Sequence, residues 1–373
     1  MSAPPAARAG RARVLFVGRT TYRLPLEPSL ERKWQALADR MQLRVLASGT
    51  GVDPRFTLTP PRPLAGPRFY AGLPARVARE LRSFRPDLVI AESPYEGAAV
   101  ELARRLTRLR VALVVEVHGD WHASTRLYGS PARRLLAPLS DRVAAWSLHR
   151  ADGHRALSPY TAALVRAEGR EPAGVFPTYS DLQAFTVPTT AVPESERVVF
   201  VGVLERYKNI DGLAAAWALV ASRRPEAQLQ LVGTGRETEV ARRLATGGVE
   251  WTPRLDPAEL ARALDAARAL VLPSRSEGLG RVIIEAFMRG RGVVAARVGG
   301  INDLVSDGVN GLLVEPADTS ALAAALERVL TDHPLAVSLG EQAARSAGAW
   351  VASAEEYADD VAALVSAVLA QAG

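Results

Sequence analysis

Two glutamates and two glycines stand close together in SRSEGLGRVIIEAFMRG, residues 274–290. An apolar run typical of a buried strand leads into Glu277, Gly278 and Gly280, and a helix is expected to begin near Leu279. Glycines at a strand-to-helix turn let backbone N–H groups approach an anion, and the positive end of the helix dipole adds to the attraction. This turn therefore favours the binding of a phosphate group.

Seven residues separate Glu277 from Glu285, which has mainly apolar neighbours along the expected helix. A buried carboxylate needs a hydrogen-bond donor, and the hydroxyls of a ribose would serve. The alternative is that Glu285 lies on a solvated stripe of the helix, with Arg281 as its ion-pair partner one turn earlier.

Lys208 is conspicuous because the chain has 46 basic residues and only two of them are lysine. A compact ammonium with three donors suits a point contact with phosphate oxygens, whereas arginine suits a planar fork. The alternative is a solvated lysine before a helix. Gly202, Gly233 and Gly235 each follow an apolar run and would let a nucleotide lie against the backbone, or are simply turn glycines.

His118 and Asp120 follow the apolar run VALVVEV. They are therefore expected at the carboxyl end of a strand, the edge where parallel sheets bind ligands. The alternative for His118 is a capping or core histidine.

These residues must be positioned by strands that alternate with helices. In the first half the expected strands are RVLFVG, LRVLAS, DLVIAE and VALVVEV; in the second they are RVVFVG, AQLQLVG, ALVLPS, GVVAARV and GLLVEP. Helical patterns such as SLERKWQALADRM, ARVARELRSF and GAAVELARRLT separate the first set. The pattern predicts two tandem Rossmann-like, doubly wound α/β domains with parallel sheets, facing a cleft.

The expected domain boundaries follow changes in composition. They are a flexible tail at 1–12, a first domain at 13–185, a Pro- and Thr-rich linker at 186–196, a second domain at 197–350, and a C-terminal helix at 351–373 that could cross back to the first domain.

Composition excludes several classes of protein. The absence of cysteine excludes disulfides and thiolate metal sites, and no run is apolar enough for a membrane span. Residues 1–185 carry 28 basic and 16 acidic side chains, whereas the rest carry 18 and 24. The basic half suits contact with an anionic membrane or a polyanionic acceptor, or reflects arginines scattered over solvated faces. A cytoplasmic protein is the expectation, and peripheral contact with the inner face of the membrane is one of these two interpretations of the basic half.

The string EGLGRVIIE resembles the signature of retaining nucleotide-sugar glycosyltransferases of family 4, which have the GT-B fold. VFVGVLERYKNIDGLAAAWALV, LVGTGRETE and VGGINDLVSDGVNGLLVEP resemble neighbouring segments of that family, and VEVHGDW and FPTYSDLQAF do so more weakly. The likeness covers most of residues 197–316.

The resemblance implies roles for these residues. Lys208 would hold the donor diphosphate, Glu277 the donor sugar, and Glu285 the ribose. His118 would contact the donor sugar and the reacting face, with Asp120 nearby. The implied catalytic set is His118, Asp120, Lys208 and Glu277; the implied donor-binding set is Gly202, Arg206, Lys208, Gly233, Gly235, Glu277, Gly278, Leu279, Gly280 and Glu285.

Three positions depart from the family pattern. Val203 stands where the family usually has a phosphate-binding arginine, and Arg206 is the expected substitute. Gly18 is the only glycine in a first turn that is usually glycine-rich, so the acceptor site is unassigned. Pro177–Asp181 replaces the usual Pro-Asn-Gly-x-Asp.

The expected function is transfer of a sugar, with retention of configuration, from a nucleotide diphosphate sugar to a hydroxyl acceptor. The acceptor would be a glycolipid, an envelope polysaccharide or a small molecule. No Asp-x-Asp signature is present, so the reaction is expected to need no metal or other cofactor, and no nucleic acid is an expected partner. The alternatives are a GT-B nucleotide-sugar epimerase and a non-catalytic nucleotide-sugar-binding protein. The first turn lacks the spaced glycines of a dinucleotide-dependent oxidoreductase.

Overall fold

The structure is a computed structural model that describes residues 11–60, 65–127, 135–186 and 190–372. Residues 1–10 of the expected tail and 187–189 of the expected linker lie outside this part of the chain. The described residues form two compact units, one holding most of the chain up to Ser180 together with the residues from Ala352, the other holding Asp181–Val351 together with residues 123–127.

The first unit is built on a seven-stranded sheet in the order β3-β2-β1-β4-β5-β6-β7, with every neighbouring pair parallel. Its strands are β1 (Arg13–Arg23), β2 (Gln42–Thr50), β3 (Phe56–Thr59), β4 (Leu88–Ala91), β5 (Ala112–Val117), β6 (Gly153–Ala156) and β7 (Gly174–Val175). The central strands are buried on both faces, which explains their continuous aliphatic runs.

The second unit is built on a six-stranded sheet in the order β10-β9-β8-β11-β12-β13, again parallel throughout. Its strands are β8 (Arg197–Val201), β9 (Gln228–Val232), β10 (Val249–Thr252), β11 (Ala269–Leu272), β12 (Gly292–Ala296) and β13 (Gly311–Val314). The two sheets confirm the predicted doubly wound α/β architecture.

Helices connect the strands along the described chain. Up to Ser180, and again at the C-terminus, they are Pro28–Arg40, Ala65–Ser83, Pro94–Thr107, Trp121–Leu127, Ala137–Arg150, Pro159–Ala167 and Ala354–Ala372. Between Asp181 and Val351 they are Ile210–Arg223, Thr238–Leu244, Pro257–Asp265, Arg281–Met288, Ile301–Leu304, Thr319–Thr331 and His333–Ala347, with 3₁₀ turns at Gln183–Phe185, Arg206–Lys208 and Gly348–Trp350.

Two sheet faces and a returning helix make the core of the first unit. Alternate residues of β1, β4 and β5 enter hydrophobic clusters on opposite sides of the sheet. The helix Ala354–Ala372 covers one side, where Tyr357 and Val361 are buried, and Arg40 Nε donates to Asp359 at 2.6 Å. The residues after Val351 therefore complete the core of the first unit.

The strand order reverses at one point in each sheet, between β1 and β4 and between β8 and β11. Loops at the carboxyl ends of two such strands diverge to opposite sides and leave a crevice, where ligands bind in this class of sheet. The loop after β8 carries Gly202 and Lys208, and the loop after β11 carries Glu277. Topology thus brings together residues that lie 69 positions apart.

Candidate functional site

A buried ion pair lies at the reversal point of the second sheet. Lys208 Nζ contacts Glu277 Oε1, and the two side chains are only 9% and 11% exposed. Ser274, itself fully buried, donates its hydroxyl to the same carboxylate oxygen at 3.0 Å. The structure therefore brings together two of the four predicted catalytic residues.

Backbone contacts hold the two loops in register. The amide of Arg275 donates to the carbonyl of Tyr207 at 2.6 Å, so the residues next to the ion pair are joined through the main chain. The amide of Gly300 donates to the carbonyl of Glu277 at 3.0 Å. These bonds fix the pair independently of its charge.

Glycines make room around Lys208. A methyl group on Gly202 would lie 3.3 Å from Lys208 Cε, so the lysine chain runs across this glycine. Gly233 has φ +142° and packs its α-carbon against the carbonyl of Gly202, where a Cβ would come within 1.9 Å. Gly235 begins the next turn, and its amide donates to Thr238 Oγ1 at 2.9 Å.

The helix Arg281–Met288 begins two residues later than expected. Gly280 has φ +81° and occupies the N-cap position without a capping side chain, while Gly278 and Leu279 remain in the preceding turn. A left-handed residue does not continue an α-helix, which explains the later start. The amino end of this helix and the three residues before it follow Glu277 directly.

Glu285 combines the two alternatives that the sequence left open. It is 5% exposed, and Arg281 Nε still reaches its Oε1 at 3.1 Å from a largely exposed position. Burial raises the pKa of Glu285, and the charge of Arg281 and its hydrogen bond oppose that rise.

Arg206 lies in the 3₁₀ turn that ends at Lys208, and its side chain is exposed. Its backbone carbonyl accepts a bond from Arg275 Nη1 at 3.4 Å. Val203, where the family pattern has arginine, is 54% exposed. Because Val203 is this exposed, a longer side chain such as the arginine of the family pattern would fit at this position.

His118 and Asp120 lie in the first unit, at the carboxyl end of β5. His118 is 41% exposed, and its Nε2 lies 2.8 Å from Glu116 Oε2. Asp120 Oδ1 accepts a bond from the amide of His122 at 2.8 Å, at the start of the helix Trp121–Leu127. Asp120 therefore has a local structural role in capping this helix.

Sequence reasoning missed Glu116 and Arg155. Both are buried, their side chains form an ion pair, and they lie directly opposite each other on β5 and β6. Burial alone would raise the pKa of Glu116, but the charge of Arg155 and the hydrogen bond from His118 outweigh it and hold that pKa below its usual range. No sequence signal marked β6, because Gly-His-Arg-Ala is not an apolar run.

Two further findings bear on cofactors and membranes. Within the described ranges, no three His, Asp or Glu side chains gather as they would around a metal ion. In the same part of the chain, no helix combines the length and apolarity that crossing a bilayer requires.

Comparison with known families matches both halves of the chain. Residues 29–183 match the family model described as Glycosyltransferase Family 4, and residues 195–332 match the model described as Glycosyl transferases group 1.

The chain is similar to two curated transferases. A D-inositol 3-phosphate glycosyltransferase of Corynebacterium aurimucosum is 37% identical over 43% of this chain and 42% of its own length. The sulfoquinovosyl transferase SQD2 of Arabidopsis thaliana is 28% identical over 73% of this chain and 55% of its own length. The matched region thus spans about half the length of these two relatives.

Solved structures share the fold. A sucrose-phosphate synthase from Thermosynechococcus elongatus superimposes with a TM-score of 0.77 at 22% identity, covering 96% of this chain and 100% of the other. Anabaena HepE, solved in complex with UDP and glucose, gives 0.70 at 20% identity over 95% and 99%. The two family models, which together match most of the chain, agree with the fold: this chain belongs to the family 4 type of glycosyltransferases and has the GT-B fold.

Proposed function

We propose that this glycosyltransferase moves a sugar from a nucleotide diphosphate sugar to a hydroxyl acceptor with retention of anomeric configuration. The observation that carries the proposal is the buried Lys208–Glu277 pair at the reversal point of the second sheet. A lysine and a carboxylate side by side, next to glycine turns and a helix start, match the mixed chemistry of a nucleotide sugar. The diphosphate is anionic, and the sugar presents hydroxyl donors.

Donor binding exchanges the partners of this pair. The diphosphate replaces Glu277 as the partner of Lys208 Nζ, because its oxygens carry more charge than one carboxylate. Glu277, still held by Ser274, then accepts hydrogen bonds from hydroxyls of the donor sugar. The residues 278–280 and the helix they introduce contribute backbone donors and a favourable dipole.

The main catalytic demand is charge that develops on the departing diphosphate. Lys208 and the helix start stabilise that charge in a preorganised site, without a metal ion. The acceptor oxygen bonds to the anomeric carbon on the face from which the diphosphate leaves, the bond to the diphosphate breaks, and the hydroxyl proton passes to the departing diphosphate oxygen, so the configuration is retained.

Glu285 accepts bonds from the ribose hydroxyls in this proposal. Its burial supports that role, since a carboxylate at low exposure gains from hydroxyl donors. Arg281 occupies one of its oxygens, at 3.1 Å, and leaves the other for a hydroxyl donor. Gly202, Gly233 and Gly235 line the path of the nucleotide, and Arg206 supplies the second phosphate contact. For His118 the proposed role is the one that the family resemblance implies, contact with the donor sugar.

Peripheral contact with an anionic membrane, from the cytoplasmic side, is the second part of the proposal. Leu102 and Leu106 are 45% and 67% exposed and lie four residues apart on one face of the helix Pro94–Thr107, and Leu109, 41% exposed, follows just after that helix ends. Arg108 and Arg110 are exposed beside them. Exposed leucines flanked by arginines suit the interface of an anionic bilayer, which would also present a lipid-linked acceptor.

Co-sedimentation with vesicles tests the membrane contact. We expect binding to vesicles of anionic lipid and little binding to zwitterionic ones. Replacing the three leucines by serine should abolish it, and equal binding of that variant would contradict the proposal.

Two experiments in sequence test the function. Thermal-shift screening against nucleotides and nucleotide sugars should show stabilisation by one base and one sugar, because a ligand that binds the folded state stabilises it by mass action. Incubation with that donor and candidate acceptors should then release nucleotide in step with a new glycoside whose anomeric configuration, read by NMR, equals that of the donor. Epimerisation of the donor without acceptor would indicate the epimerase instead, and binding without turnover would indicate a non-catalytic protein.

A further inference from the structure

A single carboxylate in the first unit joins a buried arginine to His118. Glu116 Oε1 forms the ion pair with Arg155, and Glu116 Oε2 lies 2.8 Å from His118 Nε2. Arg155 is wholly buried and Glu116 is 5% exposed, whereas His118 is 41% exposed. The Glu116 carboxylate thus connects the buried charge of Arg155 to His118, which is the one member of the three that solvent reaches.

Stability alone does not account for this buried pair. On the same sheet face of β5, Ala112 and Val114 precede Glu116 and pack in an aliphatic and aromatic cluster. Replacing a buried ion pair by well-packed apolar side chains is often neutral or stabilising, because two charges lose their hydration in the interior. A pair retained among such neighbours is therefore expected to do something other than hold the sheet together.

We propose that Glu116 is a positioning residue that fixes the ring orientation and the tautomer of His118, and that Arg155 holds Glu116 ionised and in place. An ionised carboxylate only accepts hydrogen bonds, so Nε2 of the ring carries the proton. The neutral ring is then left with Nδ1 as an acceptor, and Nδ1 makes no hydrogen bond within the described residues. The inference deepens the proposed function, because it rests on the role proposed there for His118.

The chemical consequence concerns hydroxyl groups. An Nδ1 acceptor takes a hydrogen bond from a sugar or acceptor hydroxyl, whereas the opposite tautomer would present an N–H and bind an oxygen acceptor instead. The ion pair therefore sets which polarity of ligand His118 recognises.

Arg155 is itself anchored on three sides. Its Nη2 donates to the carbonyl of Phe176 and to Thr178 Oγ1, both at 3.2 Å. Its guanidinium lies over the rings of Phe176 and Tyr357, at 4.4 and 5.3 Å from their centroids. Tyr357 belongs to the returning C-terminal helix, so this helix takes part in orienting the group that reaches His118.

The first test reads the tautomer directly. Long-range ¹H–¹⁵N correlation spectra of protein labelled at its five histidines, assigned with His118→Ala, distinguish a protonated Nε2 from a protonated Nδ1. We expect the Nε2-protonated form at a pH where the ring is neutral. A dominant Nδ1-protonated form in the unaltered protein would overturn the proposal without any variant of the pair.

The second test separates positioning from stability. The double variant Glu116→Met with Arg155→Met removes both charges while keeping volume, and thermal unfolding should show it folded at or above the original stability. We expect a mixture of tautomers and a fall in kcat of about tenfold to hundredfold, with the donor KM changed less than about twofold, because a small misplacement of a reacting group costs rate rather than binding. Glu116→Gln, of equal shape, should show the same tautomer mixture if the double variant does not fold.

The outcomes distinguish this inference from the proposed function. If His118→Ala lowers kcat and the double variant does not, with the tautomer also unchanged, the positioning role is wrong and the function stands. If the unaltered protein transfers no sugar, the proposed function is wrong, and the tautomer spectra of the unaltered protein and of Glu116→Gln still decide the positioning role.

Discussion

Removing the buried Lys208–Glu277 pair should reveal a coupling much larger than that of a surface ion pair. The perturbations are Lys208→Met and Glu277→Gln, singly and together, because glutamine matches glutamate in shape and methionine keeps the lysine chain up to Cε while removing the ammonium. In the first variant the carboxylate keeps only Ser274 as a partner, and in the second the ammonium keeps no anion within the described site.

The magnitude follows from burial. At an effective dielectric constant near 20, two charges about 4 Å apart attract by about 4 kcal/mol, and loss of hydration offsets part of that. Charge-assisted hydrogen bonds contribute about 1.5–3 kcal/mol net. With both side chains about one-tenth exposed, we expect a coupling free energy of about 1.5–3 kcal/mol.

The assay is a double-mutant cycle measured in urea. Hydrogen exchange of peptides from the second unit reports the free energy of unfolding of that unit for each variant. The matched control is the exposed pair Arg345–Glu341 on the helix His333–Ala347, with side chains 66% and 62% exposed at 3.6 Å. Its coupling should not exceed about 0.5 kcal/mol. Equal couplings for the two pairs would refute the claim that Lys208 is a buried, desolvated cation.

Three further predictions concern the same unit. Gly233→Ala should lower the free energy of unfolding by roughly 2 kcal/mol or more in chemical denaturation, because its Cβ would lie 1.9 Å from a backbone carbonyl and φ is +142°. Gly202→Ala should change the free energy of unfolding by no more than about 1 kcal/mol. The same Gly202→Ala variant should bind the donor more weakly in calorimetry. The reverse order of stabilities would count against the packing described. Glu285→Gln should raise the melting temperature at pH 7 and lose that advantage near pH 4. Burial raises the pKa of the Glu285 carboxyl, so the native protein loses stability as the pH rises through that pKa and the carboxyl ionises, whereas glutamine stays neutral. A lower melting temperature for the variant at pH 7 would contradict this prediction. Arg206→Ala should weaken donor binding severalfold by calorimetry, and adding Val203→Arg should restore it; an unchanged dissociation constant in the single variant would show that Arg206 is no substitute.

Much of the fold was predictable because its strands are apolar and its helices amphipathic. The runs that became β4, β5, β8, β11 and β12 are buried aliphatic segments, and their positions agree with the sequence pattern within one or two residues at most ends. Short or polar strands were missed. β3, β7 and β10 are short, and β6 carries His154 and Arg155 in the interior, where His154 Nε2 bonds the carbonyl of Leu148 at 2.8 Å.

The residues of the candidate site could also be predicted only where they form a local sequence pattern. The lysine, the paired glutamates and the glycine turns were visible as local patterns, and the family resemblance supplied their expected roles. The Lys208–Glu277 contact depends on strand order, and the Glu116–Arg155 pair depends on register between two strands. Neither contact can be predicted from spacing along the chain. For the second pair, a one-residue shift in register would turn Arg155 to the opposite face of the sheet.

The central claim is that the ammonium group of Lys208 binds the diphosphate of the donor. Isothermal titration of the nucleoside diphosphate and the nucleoside monophosphate of the preferred base, into the unaltered protein and into Lys208→Met, tests it most directly. We expect the unaltered protein to prefer the diphosphate, and we expect the variant to lose about tenfold to hundredfold of that preference while binding the monophosphate nearly as before. The same ratio of the two dissociation constants in both proteins would contradict it.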